Sequence, residues 1–219
     1  MNKLSGHYKL PQDGFETDSI VVFLHGLGAD GNDLISLADL LAQQFPTTAF
    51  YSPDAPSPYG LGGLGFQWFD INDLYSGDIR EIKESENLIN KYIDELLRIH
   101  GLNAKRCVLI GFSQGSMMAM HLGPRRGNQL GGLICISGAL ITQDTLLAEI
   151  KSYPSVVIIH GADDVVVDCS NSEQASSYLE NLGFKPEMHI LPGLGHSIDP
   201  RGISIMVDFL SSVFTQKSF

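Results

Sequence analysis

The chain has 219 residues, 43% hydrophobic and 18% charged, which suits a sizeable buried core and not a disordered polypeptide. A net charge of −11, from 14 basic and 25 acidic side chains, leaves no basic stripe for phosphates and argues against nucleic acid, and against attachment to an anionic membrane by charge alone. Cys107, Cys135 and Cys169 are too scattered for a disulfide framework or a zinc site. With no signal-peptide pattern over Met1–Gly14 and no membrane-length apolar run, the expected location is cytoplasmic.

Short apolar runs alternate with amphipathic stretches, and no repeat or linker divides the chain, so 1–219 is expected to be one domain. Ser19–Leu24 is the first expected strand, followed by the Gly-rich loop His25–Gly31 and a helix over Asn32–Gln44. Thr48–Ser52 is the second strand. Pro53–Gly77 carries three prolines, several glycines and Phe66-Gln67-Trp68-Phe69. It is too long for a plain connection, and its aromatics either pack over the core or line a pocket. In Ile79–His100, Ile82, Ser85, Leu88/Ile89, Tyr92/Ile93 and Leu96/Leu97 recur at helical spacing. Strands then follow at Arg106–Gly111, Gly132–Ser137, Ser155–His160 and Glu187–Leu191. Helices are expected at Gln114–Leu122, Asp168–Asn181 and Ile203–Phe214. This alternation implies an α/β fold with a mostly parallel, doubly wound sheet.

Gly111-Phe112-Ser113-Gln114-Gly115 stands where a strand passes into a helix. Glycines on both flanks relieve the crowding of a sharp turn that lifts the serine hydroxyl to the top of a sheet, the form of a nucleophile elbow. A Gly-rich turn around an ordinary serine is the alternative. Such a serine needs a base, and in this order of parts the acid and then the histidine come later in the chain. His196, in Pro192-Gly193-Leu194-Gly195-His196-Ser197, follows the last strand and is the expected general base. His160 ends a strand and is expected to support a turn, and His189 lies within a strand-like run. The acid is expected just after His160, where Asp163 and Asp164 are equivalent by spacing. Asp168 has the look of a helix N-cap and Asp199 of a turn residue before Pro200. Backbone amides of Gln114 and, from the His25–Gly31 loop, Leu27 are the expected oxyanion donors, with His25 in a structural role.

These segments resemble the phospholipase/carboxylesterase family, which includes the acyl-protein thioesterases. The likeness rests on Leu24-His25-Gly26-Leu27-Gly28-Ala29-Asp30-Gly31, Gly111–Gly115, His160-Gly161-Ala162-Asp163-Asp164 and Gly193–Ser197, and spans about residues 15 to 212. Ser52–Asp70 is similar to a bacterial branch of it. The resemblance implies a small α/β-hydrolase fold without a large cap domain, and hydrolysis of carboxylic esters, acyl thioesters or lysophospholipids without a cofactor. It implies a Ser113, Asp164, His196 triad and oxyanion donors at Leu27 and Gln114. Leu61, Leu64, Phe66 and Trp68 are expected to border the acyl site. An exposed apolar loop there would serve a homodimer or a peripheral membrane contact. A non-catalytic hydrolase-fold protein that binds a ligand or partner is the alternative from another class.

Overall fold

The structure, a computed structural model, describes residues 3–12, 14–60 and 65–215, and of Tyr75 only the backbone. In chain order the elements are β1 (Gly6–Lys9), β2 (Ser19–Leu24), α1 (Gly31–Ile35), α2 (Leu37–Leu41), β3 (Thr48–Pro53), β4 (Ser57–Tyr59), β5 (Gly65–Gln67), α3 (Asp73–Ser76) and α4 (Arg80–His100). After a single 3₁₀ turn come β6 (Cys107–Phe112), α5 (Gln114–Arg125), β7 (Gly132–Ile136), α6 (Gln143–Glu149), β8 (Ser155–Gly161), α7 (Ser170–Asn181), β9 (Glu187–Leu191) and α8 (Pro200–Phe214).

The central sheet has seven strands in the order β1-β3-β2-β6-β7-β8-β9. All neighbours pair in parallel except β1, which joins the β3 edge antiparallel. Strand alternation sends the two sides of each strand into separate cores. Ile20, Val22 and Leu24 of β2 and Leu109 of β6 pack with Ile82, Ile89 and Ile93 of α4, Met118 of α5 and Leu179 of α7. Val21, Phe23, Val108 and Ile110 face the other way, against Leu34 and Leu41 of α1 and α2 and Met206 and Leu210 of α8. Helices therefore cover both sheet faces, which is why the strands read as unbroken apolar runs.

The expected strands hold to within a residue at each end. The expected helix over Asn32–Gln44 is instead two short helices meeting at Ser36, whose hydroxyl donates back to the Asp33 carbonyl at 2.9 Å and competes with the helical ladder. Asp199 is not a turn residue. Its carboxylate accepts from the Arg201 and Gly202 amides and caps α8, with Pro200 at the first helical position. Asp168 does accept a cap-like bond from the Ser170 amide at 2.9 Å. The Pro53–Gly77 stretch contains the β4–β5 hairpin and the one-turn α3.

Candidate active site

β6 ends and α5 begins around Ser113, whose backbone (φ 53°, ψ −118°) is left-handed and strained for a side-chain-bearing residue. The flanking glycines are required by close approach. A Cβ on Gly111 would lie 2.3 Å from the Gly115 carbonyl oxygen, and one on Gly115 would lie 1.9 Å from that of Leu24. The Ser113 amide is tied to the Ile136 carbonyl at the end of β7, 2.9 Å away. The half-buried Ser113 hydroxyl thus sits where the α5 N-terminus favours negative charge.

The connections after β8 and β9 converge on the same edge of the sheet. His196 Nδ1 lies 2.6 Å from Asp164 Oδ2, a separation at which the imidazole N–H donates to the carboxylate. The His196 ring packs on Phe112, the neighbour of Ser113, with centroids 4.8 Å apart. Asp164 Oδ1 accepts from the amides of Val166 and Val167, each at 2.9 Å. Burial pushes the Asp164 carboxyl up, but the bonds from His196, Val167 and Val166 outweigh it and hold it below its ordinary range. Of the two aspartates, Asp164 is buried and bonded to His196, whereas Asp163 is exposed.

The His25–Gly31 loop lies beside the serine: a Cβ on Gly26 would be 3.3 Å from Ser113 Cβ. Among the described residues, the amides of Leu27 and Gln114 have no acceptor, as oxyanion donors require. His25 supports this loop from beneath. It is buried, its Nδ1 donates to the Gly26 carbonyl at 2.7 Å and its Nε2 accepts from the Ala55 amide at 3.0 Å. Burial lowers its pKa, in keeping with a neutral ring.

Several supporting contacts carry no signal in the sequence. The hairpin pairs with the loop, Gly28 N–H to Phe66 O at 2.9 Å and Phe66 N–H to Ala29 O at 2.8 Å. The Trp68 indole donates to the His25 carbonyl at 2.9 Å, and the buried Gln114 side chain bonds the backbone of Trp68 and Phe69. Ser85 of α4 donates to the Trp68 carbonyl. Of the residues expected to border an acyl site, Trp68 is buried in the core, Phe66 is half-buried against it, and Leu61 and Leu64 lie outside the described residues. His160 is wholly buried beside Asp164, and His189 sits on β9 with Nε2 2.7 Å from Glu187. Cys107 and Cys135 are core residues whose thiols burial pushes up to about 12.

The sequence model of the phospholipase/carboxylesterase family matches residues 11–214. Acyl-protein thioesterase 1 of Gibberella zeae is 29% identical over 216 residues, covering 90% of this chain and 92% of that protein. Acyl-protein thioesterase 1 homolog 1 of Dictyostelium discoideum is 30% identical over 200 residues, covering 87% and 88%. The crystal structure of esterase PE8 superposes with a TM-score of 0.90 at 35% identity, over 97% of this chain and all of that one (100%). The chain belongs to the phospholipase/carboxylesterase family, has its α/β-hydrolase fold, and is a carboxylic ester hydrolase.

Proposed function

We propose that the chain hydrolyses acyl esters through a Ser113–His196–Asp164 triad and an acyl-enzyme intermediate. The observation that carries this reading is the 2.6 Å bond between His196 Nδ1 and Asp164, with the same imidazole packed on Phe112 next to the strained Ser113. Ser113 Oγ attacks the acyl carbonyl while His196 Nε2 takes its proton. Asp164 fixes the imidazole tautomer and stabilises the imidazolium. The Leu27 and Gln114 amides receive the negative charge of the tetrahedral intermediate. His196 returns the proton to the departing alcohol or thiol, then activates the water that releases the acid. These steps need no cofactor.

Phe66, half-buried on the hairpin that pairs with the His25–Gly31 loop, borders the acyl side, and Trp68 backs it from the core. Thioesters and lysophospholipids fall within the same chemistry, and the relatives named as acyl-protein thioesterases make acyl thioesters the first substrates to follow simple esters. Exposed Tyr59, over Gly28, and Val165, beside Asp164, are the apolar groups that a membrane surface or a second copy would meet. No helix among the described residues is long and apolar enough to cross a membrane.

The test is hydrolysis of a p-nitrophenyl ester series from acetyl to dodecanoyl, with Ser113→Ala as control and fluorophosphonate labelling as a second readout. Turnover and labelling that both vanish in Ser113→Ala support the mechanism. Ester hydrolysis retained by that variant overturns it.

A further inference from the structure

We propose that His160 is a fourth, positioning member of the site, a buried imidazole that donates a second hydrogen bond to Asp164 and is itself held by Ser172 of α7. This rests on the Asp164–His196 reading above. His160 Nε2 lies 2.8 Å from the Val167 carbonyl and 3.1 Å from Asp164 Oδ2. A carbonyl oxygen only accepts, so Nε2 carries the proton and shares it between Val167 and Asp164. His160 Nδ1 lies 2.6 Å from Ser172 Oγ, whereas the Gly138 carbonyl is 3.4 Å from that hydroxyl. The shorter contact gives the single Ser172 proton to Nδ1, which leaves the ring hydrogen on Nε2. The side chains of His160 and Asp164 are completely buried.

Asp164 consequently accepts four donors: His196 and His160 on Oδ2, and the Val166 and Val167 amides on Oδ1. The two backbone bonds set the carboxylate's plane. His160 then does something they cannot, because it bonds the same oxygen that faces His196. It draws electron density from that oxygen and limits how strongly Asp164 holds a proton on the Asp164–His196 pair. The proton affinity of the Asp164–His196 pair is thus the quantity that His160 sets beyond the three other donors.

The groups facing His160 are few. Asp164 and Asp168 lie on the connection that follows β8, and His196 lies across Asp164 on the connection after β9. Helix α7 presents the Ser172 hydroxyl, and the connection after β7 presents the Gly138 carbonyl. Among the described residues no other charged side chain hydrogen-bonds to His160.

The decisive experiment is the pH dependence of kcat/KM for a p-nitrophenyl ester in wild type, His160→Leu and His160→Gln, with Asp164→Asn measured alongside. His160→Leu removes the donor, and its acid limb is expected to move up by about half a pH unit or more, with kcat falling about tenfold and KM little changed. His160→Gln places an amide N–H near Nε2 and is expected to restore most of the wild-type limb. A His160→Leu limb that coincides with wild type, whatever its loss of thermal stability, overturns the proposal and leaves His160 as packing. Wild-type rates in Asp164→Asn would instead overturn the triad itself, so the two failures are distinct. If His160→Leu does not fold, imidazole ¹⁵N NMR of the wild-type protein decides, with the signal assigned by its loss in His160→Gln. An Nε2–H tautomer supports the proposal, and an Nδ1–H tautomer overturns it.

Discussion

Gln114 grips the backbone of Trp68. Its Oε1 accepts the Trp68 amide at 2.8 Å while its Nε2 donates to the Phe69 carbonyl at 2.8 Å, as a neighbouring strand would. In the proposed mechanism the residue after Ser113 has two tasks. Its backbone N–H is the proposed oxyanion donor, and its side chain anchors the segment whose indole holds the His25 carbonyl, next to the loop that carries Leu27. Gln114→Leu keeps the N–H but leaves a buried donor and a buried acceptor unpaired, at about 1–3 kcal/mol each. Urea denaturation should show a loss of that order and kcat should fall at least about tenfold. A variant with wild-type stability and rate would mean that the clamp is idle.

Trp68 separates two effects. Trp68→Phe keeps most of the ring volume and deletes the N–H that meets the His25 carbonyl. It should lower kcat severalfold with little change in KM, at about 1–2 kcal/mol of stability. Trp68→Ala also removes a buried aromatic and should cost about 3–5 kcal/mol. If the segment also shapes an acyl site, relative kcat/KM across the ester series changes by about twofold or more in the alanine variant. A smaller change would assign the segment to packing alone.

Exchanging each aspartate tests the assignment of the acid. Asp164→Asn presents an amide where His196 Nδ1–H requires an acceptor, favours the wrong tautomer, and should lower kcat by about 10³–10⁴. Asp163→Asn alters an exposed side chain and should leave kcat/KM within about twofold. Equal losses in both variants would contradict the geometry.

Acid should destabilise the fold in two stages. His25 and His121 are both held below their usual 6.5, chiefly by burial, so the unfolded chain takes up protons first and stability declines as pH falls below about 6.5. Asp164 and Glu149 are depressed carboxylates. Their contribution is complete above the usual carboxylate range and is lost as pH falls through it, for Glu149 down to about 2, where its bond to the buried Arg125 guanidinium places it. Thermal melts from pH 8 to 3 should show both declines, and Glu149→Gln should flatten the second. A melting temperature constant from pH 7 to 4 would refute this account.

Gly115→Ala tests the sterics of the turn. The added methyl would stand 1.9 Å from the Leu24 carbonyl oxygen, a backbone atom fixed within the sheet. Folding should be lost or weakened by at least about 3 kcal/mol, read from soluble yield and denaturant midpoint. A soluble variant of unchanged midpoint would show that β2 and α5 separate more readily than their packing suggests.

Local sequence determined the parts whose causes are local. Runs such as Ser19–Leu24 and Glu187–Leu191 are strands because each carries its own apolar pattern, and Ser113 can stand on a strained turn because its glycine neighbours leave room for the close backbone approach there. Elements without such a pattern were not legible: β1 is mostly exposed, and the β4–β5 hairpin is short and contains Pro58. The Asp-Pro pair at 199–200 is locally the same for a turn and a helix cap, and only α8 packing against the sheet selects the cap. Spacing left Asp163 and Asp164 equivalent and the resemblance pointed to Asp164; in the structure Asp163 is exposed and only the Asp164 carboxylate meets an imidazole 32 residues away. Tertiary structure placed His160 behind that carboxylate and Gln114 against Trp68. Those contacts join connections at the ends of different strands, and a hydrogen bond between side chains far apart in the chain leaves no periodicity in the sequence that makes it.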